Sequence, residues 1–239
     1  MKKIIVLALS LAGICAYAQP KGSISSDMLK EIESSYKGTS ADKAIRNALN
    51  TTSMTVLAEN AENAAMIDTN FSDRVRTEGI TDQKSSGRCW LFTGLNVLRA
   101  AAIDKYDLGD FQFSQAYCFF WDQLEKANLF LQAVIDTRDL PFESREVDWL
   151  FSNPISDGGT FTGVADLVTK YGLVPSNVMP ESYIANSTSA MATQLRTLLR
   201  KDGLELRGEL SGVKKKDVPA KLESMKVEML KDVYRVLAL

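Results

Sequence analysis

Apolar side chains recur at intervals of three and four residues along much of the chain, and this spacing predicts amphipathic α-helices. In the last such stretch, Asp217 is the expected cap and Pro219 lies in the first turn. The shared face of that helix carries Leu222, Met225, Met229, Val233 and Val236. Ser26 and Ser114 are the expected caps of two earlier helices. The same reasoning predicts helices over residues 27–36, 41–49, 114–130, 163–171 and 189–200.

One stretch, residues 89–103, is apolar on nearly every side. A helix without a polar face belongs in the interior of a fold, so this stretch is predicted to be a central buried helix. Strand signals are few, and the sequence contains neither an internal repeat nor a low-complexity tract. The pattern alone therefore predicts a mostly helical domain.

The first eighteen residues have the pattern of a secretory signal peptide. Lys2 and Lys3 precede an almost wholly apolar run over residues 4–17, and Ala-Tyr-Ala at 16–18 is a small-x-small cleavage site. The run is too short to span a bilayer, and an N-terminal anchor helix is the alternative interpretation. We expect an exported protein, periplasmic or secreted, with a signal peptide over 1–18 and its folded part over 19–239.

Charge and cysteine content narrow the possible partners. Lys and Arg total 28 against 30 Asp and Glu, so nucleic acid and anionic membranes are not expected partners. The lysine run at 214–216 and the charges of Asp136 and Arg138 are interpreted as solvated surface. Cys118 lies among aromatic residues and is expected in the core. Two cysteines after the signal segment and no histidine make no metal-binding set, so no metal and no cofactor is predicted.

The last predicted helix carries its apolar face to Leu239, with no glycine, asparagine or proline behind it. Uncapped carbonyl groups and exposed leucines are both costly, so a domain that ends on such a helix is unusual. We therefore expect the chain to be cut within a larger fold. On this interpretation Val233, Val236 and Leu237 would be exposed where a missing domain packs.

The richest chemical signal lies around Cys89, at the predicted start of the buried helix. A thiol attacks as its thiolate, and the unpaired N–H groups of a helix's first turn stabilise that anion. Acyl transfer also needs donors aimed at an oxyanion. The Cys89 N–H can be one donor, and the side-chain amide of Gln83, six residues upstream, can be the other. Taken alone, Cys89 would more often be a small core residue and Gln83 a solvated loop residue.

The complete string around Cys89 favours catalytic roles for Cys89 and Gln83 over these structural ones. Residues 83–92 read Gln-Lys-Ser-Ser-Gly-Arg-Cys-Trp-Leu-Phe. This string resembles the nucleophile segment of papain-like cysteine peptidases, and it matches throughout the motif of their bleomycin hydrolase/aminopeptidase C branch. Ser86 and Ser156 stand where secreted papain relatives carry a bridged cysteine pair, as that branch implies. The resemblance covers roughly residues 30–239 and includes, in the family's order, the segments 113–122, 170–175 and 179–182.

The resemblance implies a fold and a set of roles. Cys89 would be the nucleophile, and Gln83 would be an oxyanion donor. Gly158 and Gly159 resemble the glycine pair that lines the substrate cleft, where an extended peptide comes close to the backbone. The implied fold is papain-like α+β, with the mostly helical left-hand domain in this chain and the β-rich right-hand domain missing. The implied activity is aminopeptidase-like cleavage of peptides by a homo-oligomer, a hexamer, without a cofactor and away from membranes. The nucleic-acid binding of the family leaves one alternative for the lysine run at 214–216.

The catalytic base is the main departure from the family pattern. Papain-like chemistry needs a histidine to take the thiol proton and an asparagine to orient it, yet the 239 residues contain no histidine. The branch carries long insertions between cysteine and histidine, so we expect both residues beyond Leu239 and an inactive chain without them. The alternative is a catalytically incomplete fragment that only binds peptide or other subunits. A redox-active thiol is a third interpretation, but it needs neither the glutamine nor the glycine pair.

Overall fold

The computed structural model describes residues 22–77, 79–208 and 210–239, so the predicted signal peptide lies outside the described residues. Regular structure within these ranges is helical, with two isolated β-bridges and no strand. The helical part of the predicted α+β fold is thus present, and the β-rich domain stays a prediction. The chain divides into two compact units between Phe71 and Ser72.

The first unit holds four helices: α1 (Ser26–Ser35), α2 (Ser40–Thr51), α3 (Met54–Leu57) and α4 (Ala61–Ala65). The Ser25 side chain caps α1, one residue before the predicted cap. A capping box between Thr39 and Asp42 begins α2, each side chain bonding to the other's backbone N–H. None of the four helices contains a buried residue. Local side-chain caps therefore set where these four helices begin.

The second unit is built around one long helix, α6 (Gln115–Asp136). Ser114 caps α6 as predicted, because its hydroxyl accepts the Tyr117 N–H at 3.0 Å. A short 3-10 turn over Lys215–Asp217 leads into the last helix. The helices that pack around α6 are α5 (Cys89–Tyr106), α7 (Arg145–Ser152), α8 (Phe161–Tyr171), α9 (Ser189–Arg207) and α10 (Val218–Ala238).

The larger core lies between α6, α9 and α10. It combines buried aliphatic side chains from all three helices, among them Val134, Leu195, Leu199, Leu206, Leu222, Met229 and Val233. The last three belong to the stripe predicted on α10, so that helical face is confirmed. Apolar burial on this scale is the main favourable contribution to the stability of the unit.

The expected exposed face at the end of α10 is wrong. Val233 is fully buried, and Val236 and Leu237 are partly buried against the larger core. The stripe is therefore satisfied within the second unit, by side chains of α6 and α9. Leu239, the last residue, is fully exposed.

A smaller core joins α5, α6 and α8 through Leu91, Leu95, Cys118, Phe119 and Val164. Cys118 is a core residue as predicted, and burial raises the pKa of its thiol to about 12. The prediction that α5 is buried all round is only partly correct, because Val97 on the helix's other side is exposed. Helix α5 therefore has one core face and one open face.

Two arginines connect the C-terminal ends of α6 and α9. Arg138 donates to the backbone oxygens of Leu206 and Gly208 at the end of α9. Arg207 donates to two backbone oxygens just past the end of α6. The last carbonyl groups of a helix have no partner within the helix, so each arginine supplies what the other helix lacks. The interpretation of Arg138 as a solvated charge is therefore wrong.

Candidate active site

Cys89 is the first residue of α5, with Arg88 at the N-cap position. The N–H groups of Leu91 and Phe92 both donate to the Arg88 backbone oxygen at 3.0 Å, which closes the first turn. No side chain caps this end of the helix, and Cys89 is exposed. The Cys89 thiol is therefore accessible on the first turn of α5, at a helix end that no side chain caps.

The segment before α5 is a tight turn that its own side chains hold in shape. Lys84 adopts the left-handed backbone conformation, with φ of 54°. Its N–H donates to Asp82 Oδ1 at 2.8 Å. The Ser86 hydroxyl donates to the backbone oxygen of Gln83 at 2.7 Å. These local bonds fix the path of the chain from Asp82 to the start of the helix.

Gln83 lies half-buried in this turn, ahead of Cys89. Its side-chain Oε1 is buried and has no hydrogen-bond partner among the described residues. Oε1 can only accept a hydrogen bond, so the group that would serve as an oxyanion donor is the Nε2 of the same amide. Gln83 thus has a buried, unpaired acceptor in the turn that precedes the thiol.

The glycine pair lies beside the start of α5. Trp90, the residue after Cys89, donates its indole N–H to the Asp157 backbone oxygen at 2.7 Å. A Cβ placed on Gly159 would lie 2.5 Å from the Trp90 ring, so only glycine allows this contact. A Cβ on Gly158 would meet nothing within 4 Å. The fold therefore brings both glycines next to the Cys89 segment, with Gly159 packed on Trp90 and Gly158 facing open space.

Helix α6 supports the glycine loop from another direction, and no sequence pattern predicted this support. Lys126 Nζ donates to the backbone oxygens of Ser156 and Gly158 at 3.0 and 2.6 Å. It also lies 5.2 Å from the centre of the Trp90 ring. Gln123 Nε2 donates to the same Ser156 oxygen at 3.1 Å. Side chains of α6 thus hold the loop through its backbone oxygens and leave Gly158 uncovered.

Arg88, directly before Cys89, is a fully buried charged residue. Its Nη1 and Nη2 donate to the two carboxylate oxygens of Glu181 at 3.0 and 2.8 Å. Its Nε donates to Ser86 Oγ at 2.9 Å. The guanidinium lies 5.0 and 5.3 Å from the ring centres of two aromatic residues, Phe92 and Phe119. Sequence reasoning gave Arg88 and Glu181 no role, although both lie in segments that carry the family resemblance.

The described ranges contain no helix that is long and apolar enough to cross a bilayer. In those same ranges, no group of three or more His, Cys, Asp or Glu side chains could hold a metal ion. The lysines at 214–216 are exposed, as expected of solvated surface.

The family model described as the Peptidase C1-like family matches residues 23–239. The chain belongs to this family. Aminopeptidase C of Lactobacillus helveticus is 43% identical to this C1-like chain over 182 residues, which are 76% of the chain and 40% of that protein. Bleomycin hydrolase of Gallus gallus is 36% identical over 173 residues, which are 70% of the chain and 37% of that protein.

A solved structure supports the same fold. The crystal structure of PepW from Lactobacillus rhamnosis HN001 aligns with a TM-score of 0.79 and 35% identity. The alignment covers 91% of this C1-like chain and 48% of the PepW chain. The chain thus shares its fold with PepW over most of its length, and it spans no more than about half the length of these relatives.

Proposed function

We propose that this C1-like protein hydrolyses peptide bonds with Cys89 as its nucleophile. The observation that carries the proposal is the exposed thiol on the uncapped first turn of α5, inside the string at 83–92. Cys118 is no competitor, because it is buried and the pKa of its thiol is raised to about 12. The similarity to an aminopeptidase C and to a bleomycin hydrolase supports the same reaction class.

In the proposed reaction, the Cys89 thiolate attacks the carbonyl carbon of the scissile bond, and the carbonyl electrons move to oxygen. The Cys89 N–H and the Gln83 side-chain amide donate to that oxyanion. When the tetrahedral intermediate collapses, the C–N bond breaks, the amine leaves with a proton, and a thioester remains on Cys89. Water then attacks the thioester, which releases the carboxylic acid and restores the thiol.

The proton carrier must titrate near neutral pH, because it takes the thiol proton and returns it to the leaving amine. Histidine has this property, and the 239 residues contain none. We assign the base to a histidine outside this sequence, oriented by an asparagine, and propose that these residues alone are inactive or nearly so. The absence of histidine also favours a second candidate: a catalytically incomplete module that binds peptide or other subunits.

The proposed substrate is a peptide whose backbone runs along the glycine pair. Gly158 borders open space, so the main chain of a substrate can approach this loop closely. The packing of Gly159 on Trp90 keeps the loop next to the residue that follows Cys89. Aminopeptidase-like cleavage, assembly into a homo-hexamer and export of the protein are further parts of the proposal. They rest on the family resemblance and on the signal-like N-terminal segment.

The test measures hydrolysis of an aminoacyl fluorogenic amide, with reductant present. It uses the 239-residue chain and a protein that also carries the histidine-bearing part. We expect turnover from the longer protein only. Cys89→Ala should abolish it, Gln83→Ala should lower kcat about 100-fold, and the matched control Cys118→Ala should leave it unchanged.

Two results would count against the proposal. Turnover that survives Cys89→Ala would show that Cys89 is not the nucleophile. A folded, histidine-bearing protein without turnover, but with measurable peptide binding, would favour the binding module.

A further inference from the structure

We infer that Asp157 and Glu181 are positioning residues, which hold the turn before Cys89 so that its oxyanion donors face one point. The inference rests on the proposed function, because it explains what keeps the proposed oxyanion site in shape. Both carboxylates reach the same short segment, residues 86–88, from parts of the sequence that lie far away. Neither carboxylate is proposed to touch the substrate.

Asp157 holds the turn from the glycine loop. Its Oδ2 accepts the Gly87 N–H at 3.1 Å, and it also accepts the hydroxyl of Thr188 at the start of α9. Its backbone oxygen accepts the Trp90 indole N–H. A Cβ on Gly87 would lie 2.7 Å from the Asp157 Cβ, so glycine is required for this approach. One residue thus joins the turn to both α5 and α9.

Glu181 holds the turn through Arg88. The two parallel bonds between their side chains fix the direction of the guanidinium as well as its distance. Arg88 is fully buried, and a buried charge without a partner is costly, so the pair stays closed. Arg88 Nε donates to Ser86 Oγ, and the Ser86 hydroxyl donates to the backbone oxygen of Gln83. A continuous chain of hydrogen bonds therefore runs from Glu181 to Gln83.

The segment that carries Glu181 backs the turn at a further point. The Ser85 N–H donates to the backbone oxygen of Asn186 at 3.0 Å, and Ser85 forms a parallel bridge with Ser187. The turn is thus braced on both sides of Ser86. Oxyanion donors act only within about 3 Å of the oxyanion, so a small shift of this turn should weaken their effect.

The test uses the unsubstituted 239-residue chain and two small probes, leucinal and leucinol. The Cys89 thiol adds to the aldehyde carbon of leucinal: a C–S bond forms, and the aldehyde oxygen takes up the thiol proton. This hemithioacetal places its oxygen where the proposed donors lie. Leucinol cannot react, so it reports plain binding. Mass spectrometry of the Cys89 peptide measures how well each probe protects the thiol from iodoacetamide.

We expect Asp157→Ala and Glu181→Gln each to weaken protection by leucinal at least about tenfold. Protection by leucinol, and the alkylation rate without a probe, should change less than about threefold. Arg88→Lys keeps the charge but loses the two-bond pairing, so it should behave like Glu181→Gln. The matched control is Asp166→Asn, at an exposed acid on α8, and it should change none of the three quantities.

The positioning role is wrong if leucinal and leucinol lose protection together, or if leucinal protects both variants as well as the unsubstituted chain. Lack of leucinal protection in the unsubstituted chain contradicts it too, because the turn then presents no working donors. A failure of the proposed function looks different, since Cys89 itself would resist iodoacetamide. Should Glu181→Gln fail to fold because Arg88 loses its partner, Asp157→Ala decides the question.

Discussion

At the scale of single residues, the two adjacent glycines Gly158 and Gly159 differ in what a side chain would meet. Gly159→Ala places a methyl group 2.5 Å from the Trp90 ring, which must then move. We expect this variant to lose about 1–3 kcal/mol of unfolding free energy, as overpacked sites do. Gly158→Ala is the matched control, since nothing lies within 4 Å of its added carbon. Thermal denaturation compares the stability of the two variants. An equal loss of stability in both would contradict the packing role of Gly159.

The residues that sequence reasoning singled out are those whose chemistry is visible locally. Cys89 and Gln83 stand six positions apart in one string, so a shared role could be proposed without a fold, and that role stays a prediction. The Arg88–Glu181 pair joins positions 93 residues apart, and Lys126 contacts Gly158, which lies 32 residues further along the chain. No local pattern encodes such contacts, because they exist only once the helices pack.

Asp202 on α9 is a buried carboxyl group that the proposed mechanism does not use. The residue is 3% exposed, and its Oδ2 has no hydrogen-bond partner among the described residues. Burial is the main reason why the pKa of Asp202 rises to about 6; Lys201 opposes the rise, and Glu205 and Asp232 add to it. The folded state therefore favours the protonated acid.

The sign of the resulting pH dependence follows from that shift. Folding raises the pKa of Asp202 from about 4 in the unfolded chain to about 6. The protonated acid therefore makes its full contribution to stability below pH 4, and this contribution is lost as the pH rises through about 6. We expect Asp202→Asn to raise the unfolding free energy at pH 7 by about 1–3 kcal/mol and to flatten its decline between pH 4 and 6. Urea titrations at several pH values check this, and equal stability of variant and parent at pH 7 would contradict it.

At the scale of secondary structure, helix starts were easier to predict than helix ends. Ser114 caps α6 as predicted, and α5 and α9 begin where their patterns begin, at Cys89 and Ser189. Helices α6 and α9 run six and seven residues further than predicted, to Asp136 and Arg207. The start of α6 carries a local capping signal, whereas the ends of α6 and α9 depend on tertiary contacts. Helix α7 was missed, because its eight residues are too few for a clear period.

The reciprocal arginines at the ends of α6 and α9 give a prediction at this scale. Arg138→Met and Arg207→Met should each lower the unfolding free energy by about 1–3 kcal/mol, because buried or half-buried carbonyl groups lose a charged donor. Arg235→Met on α10 is the matched control: its surface pair with Asp232 at 3.1 Å should be worth about 0.5 kcal/mol or less. Chemical denaturation of the three variants compares them directly, and equal losses would refute the capping role.

At the scale of the whole molecule, the fold followed from the resemblance of particular motifs. Periodicity alone predicted a helical domain, and it could not distinguish one helical arrangement from another. It also misjudged the end of α10, whose apolar stripe turns inward onto α6 and α9. An apolar stripe predicts that one face of a helix is buried, but only the packing of the other helices shows which side chains bury it.

The second unit brings together the thiol, the turn that carries Gln83, and the glycine loop, while the 239 residues supply no imidazole. On the proposed function, activation of the nucleophile depends on the start of α5, and turnover depends on a base that we assign outside this sequence. We therefore expect a reactive thiol in a chain that shows no turnover.

The central claim, that Cys89 is a nucleophile activated by the first turn of α5, is tested most directly by its alkylation rate. Iodoacetamide is added to the folded 239-residue chain at about pH 6, and mass spectrometry follows the Cys89 and Cys118 peptides separately. We expect Cys89 to be alkylated faster than free cysteine, because its thiol is exposed on a first helical turn that no side chain caps. Cys118, which is buried, should stay unmodified. A Cys89 rate equal to or below that of free cysteine would contradict the account.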